Sequence, residues 1–78
     1  MKVEILTPEA TLYQGEANYV FLPGSNGSLG LLNRHAPLIS SLKKGTLRIK
    51  DTANKEHKFE VKGGTVEVNR NKVIILAE

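Results

Sequence analysis

Residues 45–76 read GTLRIK-DTANKE-HKFEVK-GG-TVEVN-RN-KVIIL, and this stretch decides the fold class. Leu47 and Ile49 alternate with Arg48 and Lys50, Phe59 and Val61 with Lys58, Glu60 and Lys62, and Val66 and Val68 with Thr65 and Glu67. A period of two puts successive side chains on opposite faces, so each run predicts a strand with one side in a core and one in solvent. The polar residues 51–56, Gly63-Gly64 and Arg70-Asn71 predict the turns between them. Lys72 to Leu76 is apolar at both parities, which predicts a strand central to its sheet.

The same grammar runs back to the N-terminus. Val3 to Leu6 predicts a strand that stops at Thr7-Pro8, where proline removes a ladder donor. Thr11 to Tyr13 and Ala17 to Leu22 predict two more, split by Gln14-Gly15. Pro23-Gly24-Ser25-Asn26-Gly27 is the strongest turn signal, because glycine and asparagine tolerate positive φ. Ser28 to Leu32 resumes an extended run. Asn33 to Pro37 is irregular, and Leu38 to Leu42 predicts a strand joined to the next by Lys43-Lys44. No window of a dozen residues carries a helical stripe. Short strands at intervals of about 8–12 residues read as an all-β sandwich or barrel. The expectation is one domain over residues 1–78.

Composition limits what such a domain does. A chain of 78 residues buries only about 60% of its unfolded surface on folding. It has no cysteine, so neither a disulfide nor a thiolate metal site staples it. Its longest apolar runs, such as Val73 to Ala77, are too short to cross a bilayer. Glu4 follows Met1-Lys2 closely and no signal-length apolar run comes after, so the expected compartment is the bacterial cytoplasm. The net charge is +3, and ten of the eleven basic residues lie between Arg34 and Lys72. Their alternation with apolar residues reads as solvated strand faces. A basic groove for single-stranded nucleic acid is the competing reading. It has few stacking platforms, because Phe21 and Phe59 fall in apolar strand patterns and are expected in the core, leaving Tyr13 and Tyr19.

Enzymatic chemistry needs converging titratable groups, and candidates are sparse. His57 starts an alternating strand beside a polar loop and is expected to be exposed. His35 precedes Ala36-Pro37 in a turn. Ser40 and Ser41 lie near it in sequence, without a nucleophile elbow or oxyanion loop. Two isolated histidines and the single Asp51 have no metal-ligand spacing. Residues 24–30 are glycine-rich but lack the Gly-Lys-Ser/Thr ending and the helix of a phosphate cradle. The expectation is no catalytic residue, no cofactor and no metal.

The run Leu22-Pro23-Gly24-Ser25-Asn26-Gly27-Ser28-Leu29-Gly30, continuing to His35-Ala36-Pro37-Leu38, resembles the signature of the epsilon subunit of F-type ATP synthases. Leu42-Lys43-Lys44-Gly45 with Leu47-Arg48-Ile49 is similar to that family's next segment, and Gly63 to Val68 to a third. Asn71-Lys72-Val73 with Ile75-Leu76-Ala77 matches the closing strand. Thr7-Pro8-Glu9 and Gly15-Glu16 suit the opening hairpin. The matches run the length of the chain in order.

The resemblance implies a flattened sandwich of about ten short strands in two sheets, Greek-key or jelly-roll-like. It implies a non-catalytic rotor subunit in the central stalk of a proton-translocating ATP synthase. There the domain bridges the gamma subunit and the c-ring, peripheral to the cytoplasmic face of the bacterial inner membrane. By the same resemblance, Gly24, Asn26, Gly27, Ser28 and Leu29 with Arg34 face the c-ring, and Thr7, His35, Leu38 and Ser40 face gamma. The family often has an acidic residue at the position of Ser28 and Pro-Gly at Asn33-Arg34. Its C-terminal helical hairpin would lie past Glu78, so an inhibitory role is not assigned to these residues. The expected part is an adaptor, not a regulator.

Overall fold

The computed structural model describes residues 1–78. Eight strands follow in order: β1 (Lys2–Leu6), β2 (Thr11–Gly24), β3 (Gly27–Leu32), β4 (Leu38–Leu42), β5 (Gly45–Asp51), β6 (Glu56–Val61), β7 (Gly64–Asn69) and β8 (Lys72–Ala77). There is no helix. The count is eight, against the about ten that the resemblance implies; the nine runs read from the sequence become eight because residues 11–24 form one continuous strand across Gln14-Gly15.

That long strand joins two layers. Its first half pairs antiparallel with β1, and its second half runs between β3 and β5. One layer is therefore β4-β7-β8-β1 closed by the start of β2; the other is β3, the end of β2, β5 and β6. The register slips between Ala17 and Tyr19, so Asn18 is an extra residue opposite β5. Before this bulge the odd-numbered Tyr13 and Ala17 point inward; after it Val20 and Leu22 do. A bulge both bends a strand and resets its parity, which lets one strand leave one sheet and enter the next.

Hydrophobic burial follows the alternation read in the sequence. Leu47, Ile49, Val61, Val66, Val68, Val73 and Ile75 are buried, and meet Val3, Ile5, Val20, Leu22 and Leu31 from the other strands in one core. No polar or charged side chain is buried with them. β8 is central, as its apolar run predicts, with β7 antiparallel on one side and β1 parallel on the other. The molecule measures 27 × 24 × 18 Å, a flattened body whose short axis suits two sheets packed face to face.

Of the two phenylalanines expected in the core, one is there and one is not. Phe59 is half-buried and packs on the core. Phe21 lies on the outer side of its sheet, half-exposed under the Arg48 guanidinium at 5.6 Å from the ring centre. The parity reset at Asn18 puts it there.

Candidate interaction surfaces

Titratable groups converge at one place. Asp51 ends β5, and its Oδ1 accepts the backbone N–H groups of Ala53 and Lys55, each at 2.9 Å. Its Oδ2 lies 2.8 Å from His57 Nε2. His57 is thus half-buried and paired, not exposed as its loop-side position suggested. Tyr13 packs against it with tilted rings whose centres are 5.1 Å apart, and Phe59 meets Tyr13 edge-on at 6.0 Å. The hydrogen bond from His57, with those from Lys55 and Ala53, holds the Asp51 carboxyl below the usual carboxylate range. Burial, with the Asp51 charge, raises the Tyr13 phenol. The arrangement closes the β5–β6 turn and seals the gap between the start of β2 and the edge strand β6. It has no nucleophile within its hydrogen bonds.

The glycine-rich segment is a hairpin and not an open loop. β2 and β3 pair down to Gly24 and Gly27, leaving Ser25 and Asn26 as the turn. Gly27 supplies the positive φ, 127°, that returns the chain. The tip is tied to β4. The Ser25 N–H donates to the Ser41 carbonyl at 3.0 Å, the Ser41 hydroxyl to Ser25 Oγ at 2.8 Å, and the Lys43 N–H to the Pro23 carbonyl at 2.9 Å. Ser25, Asn26, Gly27 and Ser28 are exposed on this anchored tip, while Leu29 packs against the core.

Arg34 is not part of that tip. It follows the far end of β3, about 17 Å away at ~3.3 Å per strand residue. There it sits beside the β7–β8 turn, its N–H donating to Asn71 Oδ1 at 2.7 Å. His35 is exposed next to it, with Nδ1 2.8 Å from the Ala36 carbonyl. Leu38 and Ser40 share the inward side of β4, both half-buried. Thr7 is at the opposite end, where its hydroxyl and Ala10 close the β1–β2 turn. The residues expected to face gamma are therefore spread along one edge and both ends.

Sequence reading missed the outer side of the β4-β7-β8-β1 layer. Ile39 is 77% exposed and Leu76 53% exposed. Leu6 pairs with Leu76 on β8, which pairs with Thr65; Glu4 pairs with Ile74, which pairs with Glu67, opposite Ile39. Leu6, Ile39, Ile74 and Leu76 thus form an apolar lattice interrupted by Glu4 and Glu67. The signal was present in the apolar outer parity of β8, which centrality in a sheet does not by itself explain.

The family described as "ATP synthase, Delta/Epsilon chain, beta-sandwich domain" matches residues 1–78. A curated relative named ATP synthase epsilon chain, from Brevibacillus brevis, is 45% identical over 78 residues, covering 100% of this chain and 59% of that protein. One of the same name from Chlorobaculum tepidum is 41% identical over 76 residues, covering 97% of this chain and 86% of the relative. The chain spans about half to three-fifths of the length of most such relatives. Among solved structures, a chain of the Euglena gracilis mitochondrial ATP synthase OSCP/F1/c-ring matches with TM-score 0.90 at 19% identity, over 96% of this chain and 48% of that one. A chain of the Tetrahymena thermophila central stalk and c-ring matches with TM-score 0.80 at 24% identity, over 99% and 62%. At those identities the two structures speak for the fold. None of these matches supports the nucleic-acid reading.

Proposed function

This chain belongs to the ATP synthase delta/epsilon chain family, and from that premise we propose that it is a non-catalytic rotor part of an F-type ATP synthase. In this reading it bridges a gamma subunit and the c-ring at the cytoplasmic face of the bacterial membrane, held there through the complex. Catalysis belongs to other subunits, and the chain transmits torque. The observation that carries the reading is the lattice of exposed Ile39 and Leu76 with half-buried Leu6 and Ile74, laid side by side on one face of the β4-β7-β8-β1 layer. Such a patch on a small domain is the usual core of a protein interface, ringed by polar contacts.

A second adhesive surface is the hairpin tip at Ser25 to Ser28. Torque transfer needs a body that does not yield between its two contacts. The hydrogen bonds from the tip to β4 support that role, since they link it to the layer bearing the apolar lattice.

The test is calorimetric titration of the chain into its cognate purified gamma subunit. A 1:1 complex is expected. Absence of binding at micromolar concentrations would overturn the reading.

A further inference from the structure

Four non-glycine residues have positive φ, and three of them meet at one end of the molecule: Arg34 (64°), Arg70 (52°) and Asn71 (60°). Asparagine tolerates this conformation, whereas a long side chain adopts it rarely and at a cost in free energy. Two arginines so held on touching turns are an outlier. The turns are fastened together by the Arg34 N–H to Asn71 Oδ1 bond at 2.7 Å.

Neither arginine has a carboxylate partner. The four ion pairs of the molecule use the Met1 amine, His57, Lys58 and Lys72. Arg34, His35 and Arg70 instead line a concavity of about 560 Å³ that has no acidic residue in its wall. Pro37 and Asn69 form part of that wall, and they also begin a second groove of about 490 Å³ that runs along Leu38, Ile39 and Val68, with Glu67 on its side. A basic recess thus opens directly into an apolar groove.

We propose that this end of the molecule seats an acidic segment of the gamma subunit, with an apolar side chain on Pro37, Leu38 and Ile39 and a carboxylate between Arg34 and Arg70. The inference rests on the function proposed above. Guanidinium forks match carboxylates two bonds at a time. A free phosphate would use the arginines and leave the adjoining groove idle, so the continuity of the two favours a protein segment. Arg34 then acts beside His35 and Leu38 and not with the hairpin tip, and Arg70 joins the same surface.

The left-handed turns make the test selective. Glycine is comfortable at positive φ, so Arg34→Gly and Arg70→Gly remove a charge while relieving the backbone. Each variant of the full chain is titrated into purified gamma, with thermal unfolding followed in parallel. We expect about a tenfold loss of affinity per substitution, a melting temperature equal to or above the parent's, and a flatter salt dependence in the double variant. Arg70→Lys should recover part of the loss by restoring charge without the fork.

If the double variant binds gamma with parental affinity, the proposal is wrong while the rotor reading stands. If the parent chain does not bind gamma at all, both fail. If millimolar inorganic phosphate binds the parent but not the double variant and leaves the affinity for gamma unchanged, the recess is a site for free phosphate and the segment is refuted.

Discussion

Asp51 shows how much one half-buried carboxylate organises. Its two oxygens hold the β5–β6 turn closed through Ala53, Lys55 and His57. Because these bonds lower its pKa in the fold, the native state binds fewer protons than the unfolded chain near pH 3–4. Its contribution to stability is therefore complete above the unfolded value of about 3.9 and disappears as pH falls through the lower folded value. Urea midpoints measured from pH 6 down to pH 2.5 should show this acid limb, and Asp51→Asn should reduce its slope. His57 shares the inward parity of Phe59 and Val61, yet its place beside a polar loop pointed to an exposed side chain, and it is half-buried. What the sequence hid was its partner, since the pairing forms only once the turn at residues 52–55 folds back. Gly64 gives a second residue-level prediction. Its φ is 140°, and a Cβ there would lie 2.1 Å from the Leu76 carbonyl oxygen. Gly64→Ala should cost about 3 kcal/mol or more through combined clash and strain, read as a drop in urea midpoint at unchanged m. The sequence offered Gly63-Gly64 only as a turn, because a glycine pair signals freedom of φ and not the close approach of another strand.

At the scale of elements, β5 to β8 were legible because consecutive hairpins need only local alternation and turn residues. Strand β2 was not. Gly15 was read as a break, yet it stays in the ladder opposite Val3 with the Tyr13 ring lying over it. The true discontinuity is Asn18, and nothing in its residue type announces a bulge. The consequence is testable by deletion. Removing Asn18 restores one-to-one pairing with β5 and leaves Ala17, Val20 and Leu22 on one inward-facing parity, but it takes away the kink that carries β2 from one sheet into the other. Val20 and Leu22, both fully buried, would keep their inward parity on a strand that no longer bends, so the two halves of β2 could not both stay in their separate layers. The deletion should abolish cooperative unfolding, whereas Asn18→Gly, which keeps the extra residue, should retain it. A deletion mutant that still melted in one sharp transition would show that the two halves of β2 are positioned by something other than the bulge. Circular dichroism on heating separates these outcomes.

For the whole molecule, the closing contacts join distant parts of the chain: β1 lies parallel to β8, and β4 touches β2 at Gly24 and Leu42. Such pairings leave no local trace, which is why the sandwich was readable as a class while its layer order was not. The same holds for function. The hairpin tip was legible as a motif, but the apolar lattice exists only when β1, β8, β7 and β4 are laid side by side. If that lattice holds gamma, charge placed on it should affect binding and stability differently. Ile39 and Leu76 already meet water, so Ile39→Lys and Leu76→Lys should shift stability by only about 0.5 kcal/mol. Each should nonetheless weaken gamma binding by about 2 kcal/mol, the scale of a buried interface anchor. Leu38→Ala and His35→Ala should also weaken it, and Ser28→Ala on the hairpin tip should leave it unchanged. Calorimetric affinities in the opposite order, with Ser28 dominant and Ile39 silent, would mean that gamma grips the tip and the lattice faces another partner. A uniform loss across all five, accompanied by lowered melting temperatures, would instead trace the effect to folding and remove the lattice as a distinct contact.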